Sequence, residues 1–135
     1  MKSLMVERTV KVPLEKVWDA VDFTKSQGPY PVVVEKEGDP ALHGLGAQRM
    51  ITFGKQKVRE SLVEIDPPHS YSYSILSGSP VKSYLGKAEF IAGENGTIIK
   101  WSGEFIPIIP GIGWIVAKVT KKYIHRIIDE LEKSS

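Results

Sequence analysis

Between residues 32 and 106 the chain alternates apolar and polar side chains segment after segment, and then switches once to a helical period. Side chains on a strand point to opposite faces in turn, so such segments predict an antiparallel meander with one apolar face. Residues 32–35 read as one strand, and 46–66 as a hairpin. Tyr71, Tyr73 and Ile75 alternate with serines. Tyr84, Gly86, Ala88 and Phe90 alternate with Leu85, Lys87 and Glu89, and Ile99, Trp101, Gly103 and Phe105 oppose Lys100, Ser102 and Glu104. Breakers separate the segments: Gly38-Asp39-Pro40, Asp66-Pro67-Pro68, Gly78-Ser79-Pro80 and Glu94-Asn95-Gly96. Pro107, Pro110, Gly111 and Gly113 end the run. From 112 to about 133, Ile112, Val116, Val119, Tyr123, Ile124, Ile127 and Leu131 form the stripe of a long amphipathic helix. Lys118, Lys121, Lys122 and Arg126 fall largely elsewhere on it.

Ahead of the meander, residues 4–12 place Leu4, Val6, Val10 and Val12 on one face and Glu7, Thr9 and Lys11 on the other, which predicts a strand. Arg8 is its exception, a charge on the apolar side. Pro13 is tolerated in the first turn of a helix, and Leu14, Val17, Trp18 and Val21 then recur at helical spacing to about Asp22. Residues 24–27 offer one more helical turn before Gly28-Pro29 and Pro31. The order is strand, helix, meander, long helix, with no repeat or linker, read as one domain over 1–135.

The hairpin carries the sharpest pattern. With Gly54-Lys55 as a two-residue turn, Phe53 faces Gln56 and Arg49 falls opposite Glu60. One face then reads Ala47, Arg49, Ile51, Phe53, Val58, Glu60 and Leu62. A guanidinium and a carboxylate amid aliphatics are costly unless paired or facing a solvated cavity. The pattern points to a sheet whose inner face lines a pocket. A one-residue slip of register would put both charges in solvent.

At 135 residues, 41% hydrophobic and 25% charged, the chain is long enough to bury a core and ordinary for a soluble protein. A net charge of +2 makes no case for nucleic acid. The absence of cysteine excludes disulfides, thiolate metal sites and cysteine nucleophiles. No apolar run reaches the roughly 18 residues of a membrane span, and the N-terminus lacks the pattern of a signal peptide, so the expected setting is cytoplasmic. His43, His69 and His125 show no metal-ligand spacing, and no cofactor is expected. GLGAQR at 44–49 precedes a meander strand and opens no helix, so it is no dinucleotide fingerprint.

VKVPLEKVWDAVDF at 10–23, the GxGxxR of 44–49, Glu60 with IDPPHSYSYSI, GTIIKWSGEF at 96–105 and the final helix together resemble the START-like (SRPBCC) superfamily. The closest likeness is to its polyketide cyclase/dehydrase branch. The resemblance covers essentially the whole chain and implies an α+β helix-grip fold. In that fold a curved antiparallel sheet of about six or seven strands wraps a long C-terminal helix, with short helices after the first strand. An elongated apolar cavity lies between sheet and helix.

On that reading the candidate ligand-binding residues are Arg49, Glu60, Tyr71, Tyr73, Tyr84, Trp101, Phe105, Thr120 and Tyr123. Arg49 and Glu60 read either as a polar anchor in the cavity or as a structural cross-strand pair. The aromatic residues read as a pocket wall or as core packing, and Gly86 and Gly103 among them read as opening space or as ordinary interdigitation of small residues against large ones. Thr120 presents a hydroxyl to the cavity or bonds back to its own helix. The apolar loop 106–114 and the turn 77–80 are candidate gates of a cavity mouth. The expected function is to carry or sense one small hydrophobic molecule, of lipid, polyketide or aromatic type, as a monomer or weak homodimer. One alternative is a cyclase or dehydratase with Arg49 stabilising an oxyanion, Glu60 as base and a tyrosine as proton donor, although a carboxylate held by a guanidinium makes a poor base. The other is a co-chaperone-like interaction module.

Overall fold

The alternating segments form one antiparallel sheet, and the breakers around 67, 79 and 95 fall in its turns. A computed structural model describes residues 1–39 and 44–133, so His43 lies outside the described residues. The elements are β1 (Lys2–Val10), α1 (Leu14–Val21), β2 (Val32–Lys36), β3 (Gln48–Phe53), β4 (Gln56–Asp66), β5 (Ser70–Ser77), β6 (Val81–Gly93), β7 (Gly96–Pro107) and α2 (Gly113–Lys133). The seven strands are ordered β1-β7-β6-β5-β4-β3-β2, so the first strand pairs with the last and the meander runs outward to β2. The fold is the helix-grip arrangement expected, a curved sheet with a long C-terminal helix.

The hairpin register holds as read: Phe53 pairs with Gln56, Ile51 with Val58 and Arg49 with Glu60. Irregular pairing of β4 with β5, after Arg59 and after Leu62, shifts the partner strand while Val58, Glu60 and Leu62 stay buried. Arg8 also lies where alternation puts it, on the inner face. It reaches α2, donating to Asp129 at 2.8 Å and Glu132 at 2.5 Å, so its charge is matched by the helix.

One expected element is absent. Residues 24–27 form a side-chain-capped turn and no helix, so a single short helix follows β1. The Asp22 carboxylate accepts from the Thr24 amide at 2.9 Å and its hydroxyl at 2.8 Å, an alternative to helical bonding that short polar residues favour.

The core has a solid end and an open end. Under α1, Trp18 packs edge-on against Tyr71 and Phe90, each with ring centroids 6.0 Å apart, and Phe23 packs edge-on against Tyr71. Val10, Val12, Val17, Val21 and Ile99 complete this end, all fully buried. Thr97 donates its hydroxyl to the Val12 carbonyl at 2.7 Å, fixing the connection into α1. Toward the first half of α2 the sheet and helix diverge.

Two turns depend on glycine for different reasons. Gly54 sits at φ +64° in open space, whereas a Cβ on Gly96, at φ +153°, would stand 1.9 Å from the Val10 carbonyl oxygen. Gly54→Ala is therefore expected to cost about 1 kcal/mol, the usual penalty for a left-handed alanine, and Gly96→Ala clearly more. Urea denaturation of the two variants side by side checks the order, and equal losses would contradict the close approach to β1.

Candidate functional site

A cavity of about 260 Å³ lies between β3–β7 and α2. Its aliphatic wall includes Ile51, Val58 and Ile75 from the sheet and Val116, Val119, Ile124 and Ile127 from the helix. Of the residues expected to face it, Arg49, Glu60, Tyr73, Tyr84, Trp101, Thr120 and Tyr123 line it. Tyr71 and Phe105 do not. Tyr71 is covered by α1 and donates its hydroxyl to the Val21 carbonyl at 2.9 Å, and Phe105 is fully buried with the Tyr84 ring stacked on it at 5.9 Å.

The glycines among the aromatic residues interdigitate with the rings and do not open space. A Cβ on Gly86 would stand 2.3 Å from Cζ of Tyr73, and one on Gly103 would stand 2.2 Å from the Tyr84 hydroxyl. The two rings lie across these bare backbones. Tyr73, Tyr84 and Phe105, from three adjacent strands, form a stacked row, and Trp101 donates its indole N–H to the Tyr73 hydroxyl at 3.0 Å. The void lies beyond this row, against α2.

Arg49 is 2% exposed and Glu60 5%. Nε of Arg49 donates to Oε1 of Glu60 at 2.8 Å, and Nη2 to the same oxygen at 2.7 Å. Nη1 donates to the Phe23 carbonyl at 2.9 Å, and the guanidinium lies 4.2 Å above the centre of the Phe23 ring. Burial works against the charged guanidinium, but Glu60 together with Tyr71 and Tyr73 outweighs it and holds the arginine more firmly protonated than usual. The pair thus lines the cavity and at the same time ties β3 and β4 to the segment after α1.

Burial raises all three tyrosines of the β5–β6 region. Tyr71 is pushed up to about 12 in spite of Arg49, Tyr73 well above its ordinary value with Tyr84 and Glu60 adding, and Tyr84 likewise with Glu60 adding. At neutral pH they are un-ionised hydrogen-bonding groups.

Sequence reasoning missed Gln27, Gln56 and Ile115 on the wall, which also includes Ser79 and Pro80. Ser79 and Pro80 belong to the turn expected as a lid, and the Ile108 amide donates to the Pro80 carbonyl at 3.0 Å, so the two candidate gates touch. Ile108, Ile109, Trp114, Ile115 and Val119 are exposed around this mouth, Trp114 to 67%. Phe53, on the hairpin tip, stacks on Tyr123 of α2 at 4.3 Å and closes the β3 side. Gln27 gave no sequence signal, because its place depends on the turn that replaces the expected helix. Among the described residues, no group of three or more His, Asp or Glu is placed to hold a metal ion, and no helix is long and apolar enough to cross a membrane.

A curved sheet gripping a long helix over an apolar cavity defines a helix-grip protein of the START-like class. Residues 1–133 match the family model described as polyketide cyclase / dehydrase and lipid transport, and the chain belongs to that family. It is 32% identical over 117 residues to MLP-like protein 423 of Arabidopsis thaliana, spanning 76% of this chain and 74% of that protein. The structure of XoxI from Bacillus cereus superposes with a TM-score of 0.78 at 18% identity, covering 99% of this chain and 95% of that one. Norcoclaurine synthase from Thalictrum flavum, solved with dopamine and hydroxybenzaldehyde, superposes with a TM-score of 0.70 at 15% identity, covering 98% and 84%. At these identities the two structures share the fold.

Removing one member of the buried pair leaves an unmatched charge. Arg49→Met or Glu60→Leu is expected to lower unfolding stability by about 3–5 kcal/mol, and the two together to regain most of it. Urea unfolding of the four proteins measures the coupling, and a double variant no better than the worse single one contradicts it.

The tyrosines give a pH dependence. Their folded values lie above the unfolded value of about 10, so above that pH the native state holds protons that the unfolded chain releases. Stability is then fully present below about pH 10 and falls as pH rises toward the folded values, by up to about 1.4 kcal/mol per pH unit for each tyrosine. Chemical denaturation from about pH 8 to pH 11 checks the sign, and flat or rising stability would contradict it.

Proposed function

We propose that this protein binds one small hydrophobic molecule in the cavity between sheet and α2, as a carrier or sensor. The observation that carries the reading is an apolar cavity of about 260 Å³ whose wall runs from buried Ile51 and Ile127 out to exposed Pro80, Ile115 and Val119. That size is slightly below the range of roughly 300–1,000 Å³ usual for drug-sized ligands, and it suits a molecule of one or two rings or a short chain. Burial of apolar surface supplies affinity, and a few wall groups supply orientation.

The same cavity argues less well for a cyclase or dehydratase. Glu60, the one carboxylate on the wall, is held by Arg49, and the buried tyrosines keep their protons. A carboxylate paired in this way makes a poor base, and tyrosines raised by burial are weak acids for the proton-donor role. The interaction-module reading draws only on the apolar rim, which the cavity mouth already explains.

Native mass spectrometry and solvent extraction of the purified protein are expected to recover a bound small molecule. The neutral probe N-phenyl-1-naphthylamine is expected to bind the emptied protein with a fluorescence rise and to raise its melting temperature, as any ligand selective for the folded state does. Thr120→Phe, which fills the cavity from α2, is expected to weaken the probe at least tenfold while leaving the fold intact. Undiminished binding by a folded Thr120→Phe protein would place the probe elsewhere, and no binding by the parent protein would end the carrier reading.

A further inference from the structure

Three buried side-chain polar atoms among the described residues have no hydrogen-bond partner, and two of their residues, Gln27 and Tyr84, stand on the cavity wall. Gln27 is fully buried. Its Nε2 donates to the carbonyls of Val21 at 3.3 Å, Asp22 at 2.9 Å and Lys25 at 3.0 Å. Three acceptors around that nitrogen fix the amide orientation, because a flip would set its oxygen against three carbonyl oxygens. The unpartnered atom, Oε1, is therefore always an acceptor. The Tyr84 hydroxyl lies over the Gly103 backbone and close to the Tyr73 side chain, so Gln27 is the residue that offers an unmatched atom to a ligand. Leaving such an atom unpaired in a dry interior is unfavourable, so a polar group that satisfies it gains affinity.

The charges on the wall point the same way. Arg49 is the only lysine or arginine among the lining residues, and Glu60 already matches it. Both of its contacts fall on Oε1 of Glu60, which leaves Oε2 as a further acceptor. A ligand carboxylate would enter a site with acceptors in place and no free cation, and an unpaired buried charge is strongly disfavoured. The position of Gln27 beside α2 is also fixed. A Cβ on neighbouring Gly28 would stand 2.8 Å from Cα of Ile127, so the turn sits against the helix backbone.

We propose that the Gln27 side of this cavity is a donor-selective subsite: Oε1 of Gln27 takes the hydroxyl or amine of an otherwise apolar, uncharged ligand, and the site rejects the matching carboxylate. The proposal rests on the carrier reading and adds the chemical class of ligand and the residue that chooses it. Selection by a buried polar group is sharp because a ligand lacking the donor leaves that group unpaired.

The test is a matched series on the full chain at neutral pH: 2-naphthol, 2-methoxynaphthalene and 2-naphthoate, followed by calorimetry. The naphthol is expected to bind at least tenfold tighter than either of the others. Equal affinities, or a preference for the naphthoate, overturn the subsite and leave the carrier reading standing. Binding by none of the three, together with no uptake of the neutral fluorescent probe, overturns both. Gln27→Leu is expected to shrink the ratio of naphthol to methoxynaphthalene affinity, and an unchanged ratio overturns the assignment to Gln27. Gln27→Leu also removes three ties to the turn, so NMR on the parent protein gives a second reading. Contacts from bound naphthol to the Gln27 side chain support the proposal, and contacts confined to Ser79 and Ile115 at the mouth overturn it.

Discussion

A buried guanidinium has to be matched, and much of this structure is arranged around matching Arg49. Its partner Glu60 lies directly opposite on the next strand, so the pair is satisfied in one register of the hairpin only. A slip by one residue would carry both charges to the outer face and Ile51, Val58 and Leu62 with them. The remaining contact goes to the Phe23 carbonyl, in the segment that leads from α1 to β2. One side chain therefore sets the pairing of two strands and the height at which the α1 end sits over the sheet. It also decides the electrostatics of the cavity, which contains a cation and an anion and offers a ligand no net charge.

The distribution of bulk explains why a void survives at one end. α1 lays Trp18 and Phe23 over Tyr71 and Phe90 and fills the sheet beneath it. Further along, Tyr73 and Tyr84 lie against the backbones of Gly86 and Gly103. Rings that would stand up from the sheet and meet α2 are folded down onto it. Large side chains thus coexist with an empty space, which composition alone would not suggest. The gap is then walled mainly by aliphatic residues, with polar atoms where tyrosine hydroxyls, Thr120, Gln27, Gln56, Ser79 and the ion pair reach it.

Much of this was legible in the sequence and some was not, for physical reasons that differ by residue. Period-two and period-3.6 patterns depend on local geometry, so the strands, the turns and α2 could be read directly, and the Gly54-Lys55 turn fixed the Arg49–Glu60 pairing. Which inward residues meet a cavity and which meet packed core depends on the neighbouring layer. Tyr71 faces inward like Tyr73, but α1 covers it, and alternation along β5 carries no trace of that. Gly86 and Gly103 left two readings open, because a missing side chain leaves room only when no ring from a neighbouring strand occupies it. Gln27 was hidden because Asp22 and Thr24 replace a helical turn with side-chain bonds, and only that turn brings the amide to the wall.

The helix is held along its edges and left free along its middle. Arg8 ties its C-terminal half to β1 through Asp129 and Glu132, and Phe53 stacks on Tyr123 from the opposite edge of the sheet. At the start of the helix, Gly113 sits close enough to Lys2 that a Cβ would meet its side chain at 3.0 Å. Exposed bridges such as those of Arg8 contribute only about 0.2–1 kcal/mol each, so they position the helix more than they stabilise it. Held this way, α2 spans the sheet without needing every inner side chain to interlock. Val119, Thr120, Tyr123 and Ile127 can then shape the cavity, while the register that holds the sheet together rests on Arg49 and Glu60 on its other wall.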